Sequence, residues 1–384
     1  MKIADIRVLL VRLPARREHN WATKMTTPIG HHAIVEVCTD EGASGWGEAP
    51  AGATWGGAHM RYYGESPETV QVVVLGHLLP AVQGLDPKDV SLLHARMDKA
   101  VKGHPYAKAA VDMACYDLAG KELGVPVSTL LGGRHRDSIE VAHSLGIMDL
   151  DRCYAEAEEA VAEGARTIKC KTGLDPERDV TLVRELRRRL GDSVKIRVDA
   201  NEAYPSVAEA VAVTRGQEEF DLLLCEQPVA GAVGLSRVAR RIDSPVMADE
   251  SAWTALDILE LHELDAASCF SCYVTKPGGL YRARQQADIA EQLGFSCDIG
   301  GSIETGIGNA ANLQLGSALK IATLPSVCPV SQPEGSTGPK TAGVYYLDDL
   351  VTEPFRFDDG RVFAPTGPGL GIEVDREKLA RYTV

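Results

Sequence analysis

The sequence predicts an α/β protein: a modified TIM-type (β/α) barrel with an α+β capping domain built from N-terminal and C-terminal segments. Three observations predict it. The first ~125 residues read as strands followed by helices, the order of an α+β unit. From about residue 138 strand and helix patterns alternate, and Lys171, Asp199, Glu226 and Asp249 follow one another at steps of 28, 27 and 23 residues. The last stretch, from about residue 344, loses that rhythm and is expected to return to the N-terminal unit.

In the first unit, residues 6–13, 33–39 and 43–48 read as strands, with Asp40-Glu41-Gly42 as a turn between the last two. Residues 66–79, 86–101 and 105–123 carry helical spacing, and Gly124 supplies a stop. Two loop-like stretches, 19–30 and the glycine-rich 50–64, read as surface loops or as lids over a site made elsewhere. In the second unit, strands are expected to end at Lys171, Asn201, Pro228, Ser251, Lys276 and Gly300. Helices are expected at 150–163, 176–190 and 206–217. Repeated βα steps imply a parallel sheet with right-handed crossovers. Six or more such units favour a closed barrel, and no G-x-G-x-x-G follows the first strand to support an open doubly wound sheet. The expected division is 1–126 for the cap, 127–340 for the barrel and 341–384 for the returning segment.

The 384 residues carry 40 Lys and Arg against 54 Asp and Glu, a net charge of −14. That balance argues against nucleic acid and anionic membrane surfaces as partners. No apolar run approaches a membrane span, and charges sit where a leader's apolar core would lie, so a cytoplasmic location is expected. Nine scattered cysteines fit reduced thiols rather than a disulfide framework. Cys269 and Cys272 form a CxxC, but their apolar neighbours read as a buried strand. His31 and His32 are expected at a strand entrance.

The chemistry lies at the predicted strand ends, which form the catalytic face of a barrel. Asp199, Glu226 and Asp249 end three successive strands and should converge. Three bare carboxylates repel one another, and a dication removes that penalty. An oxygen-only set favours Mg²⁺ over zinc, Mn²⁺ being the other ion such ligands accept. Lys169 and Lys171 are two apart on a strand and share a face, either the barrel interior or the helix layer. In the interior, two ammonium groups beside a dication lower each other's pKa and supply a general base.

Lys-x-Lys, Asp-x-Asn, Glu-Gln-Pro, Ala-Asp-Glu-Ser and Lys-Pro-Gly-Gly, in this order, resemble the enolase superfamily. The nearest resemblance is to the mandelate racemase/muconate lactonizing enzyme family, and within it to the muconate cycloisomerase-like group. It extends to Leu130-Leu131-Gly132-Gly133 and to the ending Gly367-Pro368-Gly369-Leu370-Gly371-Ile372. The resemblance implies a small carboxylate substrate on Mg²⁺ held by Asp199, Glu226 and Asp249, with Glu250 the alternative third ligand. It implies that Lys171 moves the proton α to that carboxylate, the metal stabilising the enediolate. Lys169 is then the pKa-lowering neighbour. It also implies a homo-oligomer, since the family forms dimers or octamers.

The chain departs from the pattern at the second base. The muconate-type lysine of the sixth strand falls on Tyr273, and the mandelate-type histidine of the seventh on Gly300. Lys276 lies three residues beyond Tyr273, and an odd offset on a strand points it to the opposite face. A tyrosine donates a proton better than it accepts one. The expectation is therefore one-base chemistry: cycloisomerisation first, dehydration of a hydroxy or sugar acid second. Racemisation requires a bulge that turns Lys276 inward, and a catalytically silent relative is disfavoured by the intact ligands and lysines. Glu304, after the seventh strand, and Trp55 and Tyr62, in the second loop, are the expected substrate contacts.

Overall fold

The computed structural model describes residues 1–23, 29–50, 52–57, 61–328 and 345–384. The N-terminal cap begins with an antiparallel sheet in the order β1 (Ile3–Arg12), β2 (His31–Thr39) and β3 (Ser44–Ala49). The helix Pro105–Leu123 packs on this sheet. It starts on a proline, which needs no N–H partner there, and ends at Gly124 with φ +69°. Tyr106 to Gly120 are all buried, so the helix is enclosed on every side and its one-face periodicity is weak. Gly47 permits the close approach, because a Cβ there would lie 1.9 Å from the Ala110 carbonyl oxygen.

The chain enters the barrel through β4 (Ser138–Glu140). Seven parallel strands follow in consecutive spatial order: β5 (Ala142–Leu145), β6 (Thr167–Lys171), β7 (Lys195–Asp199), β8 (Leu222–Glu226), β9 (Val246–Ala248), β10 (Cys269–Cys272) and β11 (Ser296–Ile299). The sheet curls, and its two edges meet through a stretch without a ladder of its own. Residues 322–328 bond to β11 through Val327 N–H to Ile299 O, and to β5 through Ala142 N–H to Ser326 O. This stretch occupies the eighth place of the barrel. Short strand β13 (Arg361–Phe363) pairs with β4 on one side and with β12 (Phe357–Asp358) on the other. The C-terminal end lies on the cap: Val384 N–H bonds Leu10 O, and Arg376 pairs with Glu36. The expected boundary at 340–341 lies outside the described residues. Among the described residues no helix is long and apolar enough to cross a membrane.

One element is shorter than the sequence pattern implies. β10 stops at Cys272, not at Lys276. Beyond it Gly278 N–H bonds Thr275 O and Gly279 N–H bonds Val274 O, so the backbone turns. Both glycines have positive φ, +99° and +131°. Face counting along a strand does not extend into that turn.

Candidate active site

Strand register sets the site. β6 and β7 pair Lys171 with Asp199, and β7 and β8 pair Asp199 with Glu226. The period of two aims Lys169 and Lys171 into the barrel while Cys170 joins the core against the helices. Lys169 Nζ lies 2.9 Å from Asp199 Oδ2 and 2.8 Å from Glu226. Lys171 Nζ donates to Asp199 Oδ2 at 2.6 Å and to Asn201 Oδ1 at 2.7 Å. Below them Arg197, wholly buried, donates to Glu226 at 2.5 Å, to Asp298 at 2.8 Å and to the Pro325 carbonyl at 2.7 Å.

Burial pulls Lys169 down, but the facing Asp199 and Glu226 outweigh it and hold it above the ordinary lysine range. Burial pushes Asp199 up, yet Lys169 and Lys171 win and keep it below the carboxylate range. Glu226 is raised, by burial first and then by Asp199, with Asp249 adding to the effect.

Among the described residues no three acidic, histidine or cysteine groups stand in coordinating geometry, because each carboxylate is turned onto a lysine or arginine. The donor set still fits a hard dication. Asp199, Glu226 and Asp249 are buried, Glu226 is subject to the charge of the other two, and Asp249 lies on the cavity wall. Glu250, the alternative, accepts the Asn201 Nδ2–H on Oε1 at 2.8 Å and keeps Oε2 buried without a hydrogen-bond partner. It does not line the cavity.

The cavity holds about 380 Å³ above these groups. Lys169, Lys171, Asn201 and Asp249 form its floor, and Trp21, Trp55, Tyr273, Tyr345 and His32 are among its walls. Trp55, an expected substrate contact, is on this wall, its ring 6.2 Å from that of Tyr273. Trp21 and Asn201 were not among the site residues expected from the sequence. Asn201 was legible as the second member of Asp-x-Asn, whereas Trp21, 5.8 Å over Lys171, carried no signal beyond membership of a loop.

Two expected contacts, and the candidate base Lys276, lie outside the cavity lining. Tyr62 does not line the cavity: its ring stacks on Trp253 at 4.6 Å and its hydroxyl donates to Asp257. It fastens the loop to the helix Ala255–Glu263, since apolar burial and a carboxylate acceptor lie there together. Glu304 is 1 % exposed and accepts the Ser302 N–H, so it shapes the loop behind the cavity wall. Burial pushes its carboxyl up to about 7. Lys276 does point into the barrel, contrary to the opposite-face expectation. It donates to Asp249 Oδ1 and, at 2.8 Å, to the Asp249 carbonyl. Yet it does not reach the cavity, because the Tyr273 ring covers its ammonium at 3.8 Å.

Gly300 belongs to the same arrangement. A Cβ there would lie 2.1 Å from Tyr273 Cε2 and 2.4 Å from Ser271 Oγ. Gly300→Ala should therefore displace the ring and cost about 1–3 kcal/mol, read as a lower urea midpoint with unchanged slope. A midpoint equal to that of the parent would show that the ring is loosely held.

Comparison with known proteins adds the ancestry. The model of the mandelate racemase/muconate lactonizing enzyme N-terminal domain matches residues 6–132, and that of the enolase C-terminal domain-like family matches 152–378. The chain belongs to the mandelate racemase/muconate lactonizing enzyme family. It is thus an enolase-superfamily enzyme. Muconate cycloisomerase 1 of Rhodococcus opacus is 32% identical over 392 residues, covering 100% of this chain and 99% of that one. N-succinyl-L-Arg/Lys racemase of Bacillus cereus is 30% identical over 388 residues, covering 100% and 98%. The crystal structure of 2-chloromuconate cycloisomerase from Rhodococcus opacus superposes with a TM-score of 0.89, at 30% identity and full coverage of both chains.

Proposed function

We propose that this family member is a one-face isomerase of the cycloisomerase kind, moving the proton α to the carboxylate of a small substrate. One observation carries the reading: Lys169 and Lys171 line the cavity from β6, while Tyr273, four strands away, fills the place above Gly300 and screens Lys276. Asp199, Glu226 and Asp249 would hold Mg²⁺ or Mn²⁺. The bound ion supplies positive charge at the substrate carboxylate, which acidifies the α-hydrogen. Lys171 Nζ exchanges that proton with the α-carbon. Lys169, beside it, complements the substrate carboxylate. Trp21 and Trp55 exclude water from the exchange. Tyr273 stays protonated, because burial first and then Asp249 and Glu226 raise its pKa well above the usual phenol value. A protonated phenol on the wall also favours a second reading, dehydration, in which it donates to a departing hydroxyl.

Proton NMR in D₂O with Mg²⁺ tests the proposal on muconates, sugar acids, hydroxyprolines and N-acylated amino acids. A lactone from cis,cis-muconate, deuterated on one face, is the expected result. A dehydrated keto acid would select the second reading. Deuterium at the α-carbon with no new skeleton would overturn both and make the protein a racemase. Exhaustive chelation should lower turnover at least ~100-fold, with Mg²⁺ restoring it. Activity that survives chelation would refute the ligand assignment.

A further inference from the structure

The cavity wall between β11 and the helix Gly306–Ala318 contains a strained residue that the chemistry above does not use. Ile303 lines the cavity with φ +65°. A β-branched side chain in the left-handed region is an outlier, and it persists only where the surroundings hold it.

The holding groups come from distant stretches of chain. The Tyr346 hydroxyl donates to the Ile303 carbonyl at 2.7 Å. That uses the one proton of the phenol, so in its 2.8 Å contact with His32 Nε2 the nitrogen is the donor. His32 is therefore Nε2-protonated. Burial lowers its pKa to about 3, so the ring is neutral at neutral pH, with a bare Nδ1. Nδ1 has no hydrogen-bond partner and faces Glu48 Oε1 at 3.5 Å. Glu48 accepts the Thr305 N–H at 2.9 Å, the Thr305 hydroxyl at 2.6 Å and the Gly308 N–H at 2.7 Å. His32 on β2 and Glu48 on β3 thus grip the 303–308 stretch from the cap, one through a relay and one directly.

We propose that His32 is a positioning residue: acting through Tyr346, its Nε2–H fixes the left-handed turn at Ile303 and with it the shape of the substrate wall. This deepens the functional reading and rests on the cavity being the substrate site.

Hydrogen–deuterium exchange of the whole, metal-free protein tests the relay without any turnover. In His32→Leu and Tyr346→Phe the amides of 303–308 should exchange about tenfold faster, the worth of one lost hydrogen bond, while those of 105–123 keep the parent's rate. His32→Gln, which supplies an amide N–H near the place of Nε2, should restore exchange to within about twofold. The double variant His32→Leu/Tyr346→Phe should exchange no faster than either single one, because both cut the same chain. Unchanged exchange in 303–308, additive effects, or no rescue by glutamine would overturn the proposal. Tyr346→Phe removes a single oxygen and carries the test if His32→Leu does not fold.

Kinetics with cis,cis-muconate and Mg²⁺ read the substrate wall. Tyr346→Phe, at a residue that does not line the cavity, should raise KM about tenfold with kcat within about twofold, and His32→Leu should match it while His32→Gln keeps the parent's value. An unchanged KM would reduce the relay to a structural brace and overturn the positioning role. A parent enzyme inert towards muconate would count against the cycloisomerase reading alone, since the exchange measurement still decides the relay.

Discussion

Lys171→Ala should lower turnover about 1,000-fold while leaving the fold and the ion-binding carboxylates in place. The fold should persist because the variant strands no charge. Asp199 loses Lys171 at 2.6 Å but keeps Lys169 at 2.9 Å, and Asn201 retains Glu250. The loss therefore reports proton transfer rather than collapse of the site. Lys171→Arg separates charge from proton transfer. Guanidinium keeps the positive charge beside Asp199 and under Trp21, but it does not give up its proton near neutral pH. If the ammonium acts by charge alone, arginine restores turnover; if it shuttles a proton, arginine is as inactive as alanine. Full activity in Lys171→Ala would remove the proposed base altogether.

Arg197→Met should destabilise the protein by about 3–5 kcal/mol, the cost of breaking a buried ionic group by removing one partner. Arg197 lies at the centre of the barrel floor and joins β7 to Glu226 on β8, Asp298 on β11 and the Pro325 carbonyl of the closing stretch. Methionine fills much of the volume, so the loss measures Asp298 left without its cation and Glu226 left with Lys169 alone, not a cavity. Arg197→Lys should recover only part of it, because one compact ammonium does not span the positions that the planar fork reaches. Urea unfolding checks both. A loss below about 1 kcal/mol for methionine would mean that Glu226 and Asp298 shed their charge once the arginine is gone.

The helices 105–123 and 176–190 were legible to the residue. Their signals are local: a proline at the first turn and a glycine just past the end, joined in 176–190 by one-sided apolar spacing. The carboxylates were legible for a related reason. A strand presents alternate residues to one face, and a βα repeat returns the chain to the same end of the sheet each time. Lys169, Lys171, Asp199 and Glu226 therefore converge by arithmetic once the barrel is accepted.

Lys276 shows where that arithmetic stops. Counting faces is valid only while the strand lasts, and β10 ends four residues earlier. The fate of its ammonium is set by Asp249 and by the Tyr273 ring, neither of which a strand pattern reports. Tyr62 and Glu304 diverged for a like reason. Each sits in a loop whose composition suits a substrate contact, and each finds a better-buried partner in Trp253 and the Ser302 N–H.

The sequence by itself determined the barrel, the cap, the family resemblance and the row of ionisable strand ends, because repetition and periodicity are written along the chain. Only the tertiary structure decided which groups face one another across the barrel: Tyr273 over Gly300 and Lys276, Arg197 beneath Glu226, and His32 tied through Tyr346 to Ile303. Those pairings join residues up to 314 positions apart. They form because a buried charge or donor left alone costs more than ordering the chain that satisfies it, a balance that long-range packing settles and local pattern does not record.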